Sequence, residues 1–237
     1  MQTTLPSRLA RIVTTFVAMS GFRLDRLNVA WVALGAFSFV LAHEVTLRAS
    51  VPLTLAYWLF TLALYYGGNS LFLGGTARLR LVERLGEARA TRVYDTALGL
   101  MFVNQGLGLG CVSALALPGT VLAISPALAL AAGLAMCAVG IVVKVWATMV
   151  LGVDGYYYRD LLLGRGSAGF VCRGPYRLFA NPMYGIGQLH AYGFAVLHRS
   201  VAGLVAAAIC QALVFAFYFA VERPFVQRVY LRVATAA

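Results

Sequence analysis

Charge is scarce in this chain. Of its 237 residues only 11% are Asp, Glu, Lys or Arg, against 61% hydrophobic, and the mean hydropathy is +0.82. An ordinary soluble domain carries about 25% charged residues, so a chain of this length lacks the polar surface to face water and a soluble fold is excluded. One membrane domain fits, with no separate soluble module. Cysteine is sparse too. Cys111, Cys137, Cys172 and Cys210 are scattered, with no C-x-x-C pair and no Cys/His cluster. That excludes a zinc site or a disulfide framework and leaves them as small packing residues. Acids number eight against 19 Lys plus Arg, for a net charge of +11. The excess does not point to nucleic acid, because the basic residues lie between apolar runs, where lipid headgroups would meet them.

What the chain has in quantity is apolar sequence. A hydrocarbon core takes about 20 residues of helix. Six spans are predicted, at about 27–42, 52–74, 94–117, 121–143, 183–197 and 201–221. The expected fold is all-α, a polytopic transmembrane bundle. With the N-terminus placed in the cytoplasm, every Lys and Arg except Arg48 and Arg199 falls on that side. This positive-inside bias puts both termini in the cytoplasm. Residues 1–26 read as an interfacial amphipathic segment. Leu5, Leu9, Ile12, Val13, Phe16 and Met19 recur at helical spacing opposite Arg8, Arg11 and Thr15; a signal peptide is the other reading of this stretch. Residues 27–93 hold two N-terminal spans and a charged cytoplasmic loop, and residues 94–237 hold the remaining core. Pro118-Gly119 predicts a tight turn between the third and fourth spans.

Candidate chemistry gathers between Lys144 and Tyr184. Asp154, Asp160 and several arginines are interleaved there with Tyr156, Tyr157, Tyr158, Tyr176 and Tyr184, and with glycines from Gly152 to Gly174. Such a segment is long for a simple connection, and its aromatics argue against disorder. Pro182 fits the first turn of the fifth span, with Asn181 as N-cap, leaving free N–H groups for an anion. On physics alone a capped helix start with headgroup-anchoring tyrosines fits equally well. Glu222 sits where the sixth span meets the interface, a costly position for a carboxylate unless it is paired or functional. Lys144 reads as a stem snorkelling to headgroups, and His198 as an interfacial residue.

Several of these runs resemble one family. Gly174-Pro-Tyr176, Asn181-Pro-Met-Tyr184, Gly193-Phe-Ala195 with His198, and Glu222-x-Pro-Phe225 are similar to blocks of the phosphatidylethanolamine N-methyltransferases. Leu151-Gly152-x-x-Gly155-x-Tyr157-x-x-Asp160 resembles an upstream block of the same family. The Gly-Pro-Tyr and Asn-Pro-x-Tyr parts are also similar to the more distant isoprenylcysteine carboxyl methyltransferases. The resemblance runs from about Tyr94 to Arg232. It implies a membrane-embedded methyltransferase that takes S-adenosylmethionine from the cytosol and a membrane lipid laterally. By position, Gly152, Gly155, Tyr176, Asn181, Pro182, Tyr184 and Glu222 would surround the cofactor. Two positions depart from the family pattern: Arg223 replaces a second acid, and His190 stands where Asn is common.

The implied reaction displaces a methyl group from a sulfonium. Aromatic faces suit its moving positive charge, so Tyr157 and Tyr158 are substrate-side candidates. Gln188 joins them on the helical stripe Tyr184–Gln188–Tyr192. An amine acceptor needs a base, for which His190, Asp160 and Glu222 are candidates. A carboxyl acceptor needs none. A scaffold or transporter is the alternative from another class. Against it, the charges collect near one surface, with no central ion pair and no clear repeat. Compact loops and the lack of a clear targeting segment suggest a bacterial cytoplasmic membrane. Nothing in the sequence specifies a metal or an oligomeric state.

Overall fold

A computed structural model of the chain describes residues 5–19, 21, 28–115, 117, 119–166 and 171–231. Arg23, Arg26, Pro118 and Arg232, used in the readings above, lie outside them. Among the described residues the architecture is all-helical, with no strand beyond an isolated bridge between Val121 and Ser200. Four helices among the described residues are long and apolar enough to cross a membrane, and the chain is an integral membrane protein on that ground. They are α2 (Val29–Arg48), α6 (Glu87–Ala114), α7 (Pro126–Leu151) and the rod Val201–Tyr230, which begins as α11 (Val201–Phe217).

Four of the six expected spans correspond to these helices. Residues 51–74 form a continuous rod of about 36 Å at 1.5 Å per residue: α3 (Val51–Leu62), a π-helical turn Ala63–Gly68 and α4 (Asn69–Gly74). The expected fifth span contains only α10 (Leu189–Leu197), about 14 Å long, roughly half of a hydrocarbon core. Asn181 does not cap it. The Gly185 amide donates to the Asn181 carbonyl (3.0 Å) and the Gly187 amide to the Pro182 carbonyl (2.8 Å). Those turn bonds hold the chain in turns and a 3₁₀ segment, Ile186–Gln188, until the helix starts. At other ends the boundaries move outward. α6 begins at Glu87, just after Gly86 (φ 72°) closes α5 (Ala77–Leu85). α7 runs eight residues past Val143, because one lysine in an apolar run does not end a helix.

Two interfaces organise the bundle. On one side α2 and α3 pack on α6. There Tyr57 Oη donates to Asn104 Oδ1 (3.0 Å), and Asn104 Nδ2 donates to Ser38 Oγ (2.9 Å). On the other side α10 runs antiparallel against α7 at glycine contacts. A Cβ on Gly140 would lie 2.3 Å from the His190 amide nitrogen, and one on Gly193 would lie 2.6 Å from the Gly133 carbonyl oxygen. Such backbone approach needs small residues, as in other membrane helix pairs, and it fixes His190 and Gln188 beside α7.

The remaining short elements gather at one end. They are α1 (Leu5–Met19), α8 (Val153–Tyr156), α9 (Arg159–Leu163) and the final turns, α12 (Arg223–Val226) and the π-helical Gln227–Leu231. Helix α1 packs on α7 and α8. Arg11 donates to the Met149 carbonyl (3.2 Å), and Leu9, Ile12 and Val13 are exposed. Arg48 and Arg199 lie at the opposite end: Arg48 follows Thr46, whose hydroxyl lies 3.4 Å from Cys111 Sγ, and Arg199 donates to the Leu122 carbonyl (3.2 Å).

Candidate active site

A cavity of about 430 Å³ opens among α1, the π-turn 63–68, α6, α7, α8, α10 and the end of α11, within the ~300–1,000 Å³ of small-molecule sites. Its walls divide by chemistry. Tyr65, Phe102, Tyr156, Tyr158, Tyr184 and Glu222 supply aromatic and acidic lining, Leu109, Cys137, Ile141, Phe194, Cys210 and Val214 supply apolar lining, and Lys144, Gln188 and His190 also line the cavity. Phe16 and Met19 of α1 contribute to the lining as well. Two π-helical turns bound the polar part, Ala63–Gly68 carrying Tyr65 and Tyr66, and Tyr218–Glu222 carrying the carboxylate. π-bulges inside helices recur at functional sites.

Glu222 does not end its helix, as its place before Arg-Pro suggested. The rod continues through α12 to Leu231. The wide turn makes this possible. The Arg223 amide reaches back five residues to the Tyr218 carbonyl, and Pro224, which has no N–H to offer, follows within the loosened ladder. The Glu222 carboxylate accepts from Tyr184 Oη (2.8 Å), whose oxygen lies 3.0 Å from Tyr158 Oη. No cation lies within 4.0 Å of it among the described residues; Arg223 is exposed and sits over the Phe219 ring, 5.7 Å from its centroid. Tyr158 holds φ at +55°, a strained setting for a bulky residue that recurs at sites the surroundings over-determine. Tyr176 turns its hydroxyl inward, buried with no hydrogen-bond partner among the described residues. Burial, and then the charge of Glu222, raise the Tyr158 and Tyr176 phenols above their ordinary range, so both remain protonated donors.

His190 Nδ1 lies 2.6 Å from the Gly187 carbonyl. A carbonyl only accepts, so the ring proton is on Nδ1 and Nε2 keeps a free lone pair. Lys144 does not snorkel to the interface. It lies seven residues, about 10 Å, inside the end of α7, lines the cavity and donates to Gln188 Oε1 (3.2 Å).

Of the residues singled out from sequence, Gly155, Tyr158, Tyr184, Gln188, His190 and Glu222 line this one cavity, and Tyr176 packs beside it against the same core cluster. Others lie elsewhere. Asp160 accepts a hydrogen bond from Tyr230 and does not line the cavity. Tyr157 is fully buried, and its hydroxyl donates to the Ala18 carbonyl (2.9 Å), holding α1. Pro182 is buried within its turn. Asn181 supplies the carbonyl to Gly185. Gly152 sits at φ +92° with open space at its Cβ, so it serves the turn out of α7. Sequence reasoning missed Tyr65, Phe102 and Gln105, which come from outside the recognised blocks. Among the described residues, no group of three or more His, Cys, Asp or Glu is placed to hold a metal ion.

Residues 128–232 match the phospholipid methyltransferase family. The match starts in α7, later than the expected Tyr94, and covers a little under half of the chain. Glu222, Tyr184, Tyr176, Tyr158, His190 and Lys144 all lie inside it, while α1 to α6 lie outside. No curated protein and no solved structure matches the chain.

Proposed function

We propose that this protein is a membrane methyltransferase that uses S-adenosylmethionine to methylate the amine headgroup of a phospholipid, phosphatidylethanolamine or its methylated forms. The site would face the cytoplasm of a bacterial inner membrane, the face to which the sequence's arginine bias assigns this end of the bundle. The observation that carries the reading is Glu222, a carboxylate with no cation partner, held by Tyr184 in an aromatic-walled cavity within the family-matched segment.

The walls fit such a cofactor. Glu222 can accept from its amino or hydroxyl groups through charge-assisted bonds, and the unpartnered Tyr176 hydroxyl is a buried donor that still needs an acceptor. When bound, S-adenosylmethionine supplies a methyl group on a cationic sulfur. The faces of Tyr65, Phe102 and Tyr156, with ring centroids 5.4 and 5.2 Å apart in sequence, stabilise a nearby cation by about 0.5–2 kcal/mol each. Holding both reactants in line contributes about 7–11 kcal/mol. The amine must lose a proton before attack. His190 Nε2 takes it, since Nδ1–H is committed to Gly187 and fixes the ring.

The test is to incubate the purified protein with methyl-labelled S-adenosylmethionine and defined lipids. Label is expected in phosphatidylethanolamine, and Glu222→Ala should weaken donor binding about 10–100-fold, the worth of a charged hydrogen bond. No label in any lipid, amine or carboxyl acceptor, together with no donor binding, refutes the reading. A carboxyl acceptor, as in the isoprenylcysteine enzymes, is the second reading, favoured by the cation Lys144 in the cavity. A carboxylate needs no base, so His190→Ala separates the two. A drop of about tenfold or more with the fold intact supports an amine; an unchanged rate supports a carboxyl group.

A further inference from the structure

We infer that Lys144, set by Gln188, is an anion-binding subsite that takes the phosphodiester of the acceptor lipid. The inference deepens the methyltransferase reading and depends on it only for calling that lipid the acceptor. Lys144 is the only lysine in the sequence; the other 18 basic residues are arginines. It stands about two helical turns inside α7, where the chain is otherwise apolar. Its ammonium group has one hydrogen-bond partner among the described residues, the neutral Gln188 side chain, and no carboxylate lies within 4.0 Å. A cation at such depth is costly unless something pairs with it. The cavity holds one carboxylate, Glu222, and the two are not paired. Opposite charges left apart across one cavity suit a ligand set that brings a cation to Glu222 and an anion to Lys144.

The position of Lys144 selects the acceptor over the donor. Its neighbours one and two turns earlier on the same face of α7, Ile141 and Cys137, also line the cavity and carry no charge. Such a wall suits acyl chains and not a water-soluble donor. Lys144 therefore stands where chains give way to headgroup, and His190, on the partner helix, follows Gln188 by two residues. Lateral entry from lipid would pass between α6 and α7, which are consecutive yet do not pack extensively on each other. Between them the cavity-lining Gly106 and Ile141 are exposed, and a Cβ on Gly106 would touch nothing.

Equilibrium binding to the full chain in neutral detergent tests this without turnover. The ligands are short-chain phosphatidylethanolamine, the diacylglycerol of the same chains and a fatty acid of the same length. The proteins are wild type, Lys144→Met, Lys144→Arg and Gln188→Met. Wild type should bind the phospholipid about tenfold or more tighter than the diacylglycerol, as a charge-assisted bond predicts. Lys144→Met, which keeps the side chain's bulk, should erase that margin while diacylglycerol and S-adenosylmethionine affinities move less than about threefold. Lys144→Arg should restore most of it, and Gln188→Met should show a smaller loss, which keeps the test usable if one variant fails to fold. The subsite is overturned if Lys144→Met binds the phospholipid like wild type, or if donor affinity falls in place of lipid affinity. It is also overturned if the fatty acid binds as tightly as the phospholipid and with the same dependence on Lys144, because the anion is then a carboxylate. A phosphate margin that survives in a protein that transfers no label sinks the methyltransferase reading alone; label transfer with no margin sinks the subsite alone.

Discussion

Two interfaces in this bundle are built from polar and small residues, and they use them differently. Between α2, α3 and α6, polar atoms close on one another, Tyr57 on Asn104 and Asn104 on Ser38, and near the other end of α6 Tyr94 closes on Asn69 of α4 (3.1 Å). Between α7 and α10 the backbones touch at glycines, and the polar atoms face the cavity with capacity left over. Among the described residues, Lys144 has an amide for its only hydrogen-bond partner, His190 Nε2 makes no hydrogen bond, and across the cavity Glu222 has no cation within 4.0 Å. A closed network holds helices in register in a solvent that offers no alternative partners. An open one costs stability and is retained where a ligand completes it. On the proposed function, the first interface is scaffold and the second is site.

Gly140→Leu should break that contrast most severely. The added side chain would start 2.3 Å from the His190 backbone nitrogen, and backbone cannot step aside as a side chain does. Overpacking costs about 1–3 kcal/mol or more. Moving α10 by even about 1 Å would displace Gln188 and His190 together, for a loss of roughly 100-fold in rate. The check is initial rate and thermal midpoint on the same preparation. A normal rate would show that the α7–α10 contact does not position the site.

Asn104→Leu should have a middle-sized effect of the opposite kind. It leaves Tyr57 and Ser38 without their shared partner, a cost of about 1–3 kcal/mol in unfolding free energy. Asn104 does not line the cavity, so S-adenosylmethionine affinity should stay within about threefold of wild type. A larger loss of affinity than of stability would erase the distinction between scaffold and site.

How much of this was legible in the sequence follows the same division. The long apolar runs give the spanning helices, and Tyr184 and Glu222 stand out because polar groups at the margins of such runs are conspicuous. Lys144 was misread because its charge resembled the end of a span; only the continuation of α7 to Leu151 shows it to be internal. The start of α10 was misread because Pro182 and Asn181 are good helix-start residues in isolation, while the carbonyl bonds to Gly185 and Gly187 that keep the turn depend on the path of the chain. Tyr65 and Phe102 could not be found at all. They reach the cavity from helices remote in sequence, and nothing local marks an aromatic on an apolar helix as lining anything but core.

The smallest expected effect concerns α1, whose Phe16 and Met19 help line the cavity. Tyr157, aligned in sequence with substrate-side tyrosines, spends its hydroxyl on the Ala18 carbonyl, and Tyr156 donates to the Met19 carbonyl (3.3 Å). Tyr157→Phe keeps the buried ring against Phe102 and removes the hydroxyl that makes that bond, worth about 0.5–1.5 kcal/mol. Amides at the C-terminal end of α1 should then exchange with solvent about 2–10-fold faster, while S-adenosylmethionine affinity changes less than twofold. If affinity falls tenfold and α1 exchange is unchanged, Tyr157 serves the ligand and belongs with the open set of polar groups. If exchange rises and affinity holds, α1 is fastened over the cavity from beneath by residues of the site segment, and the division drawn between the two interfaces extends to the helix that covers them.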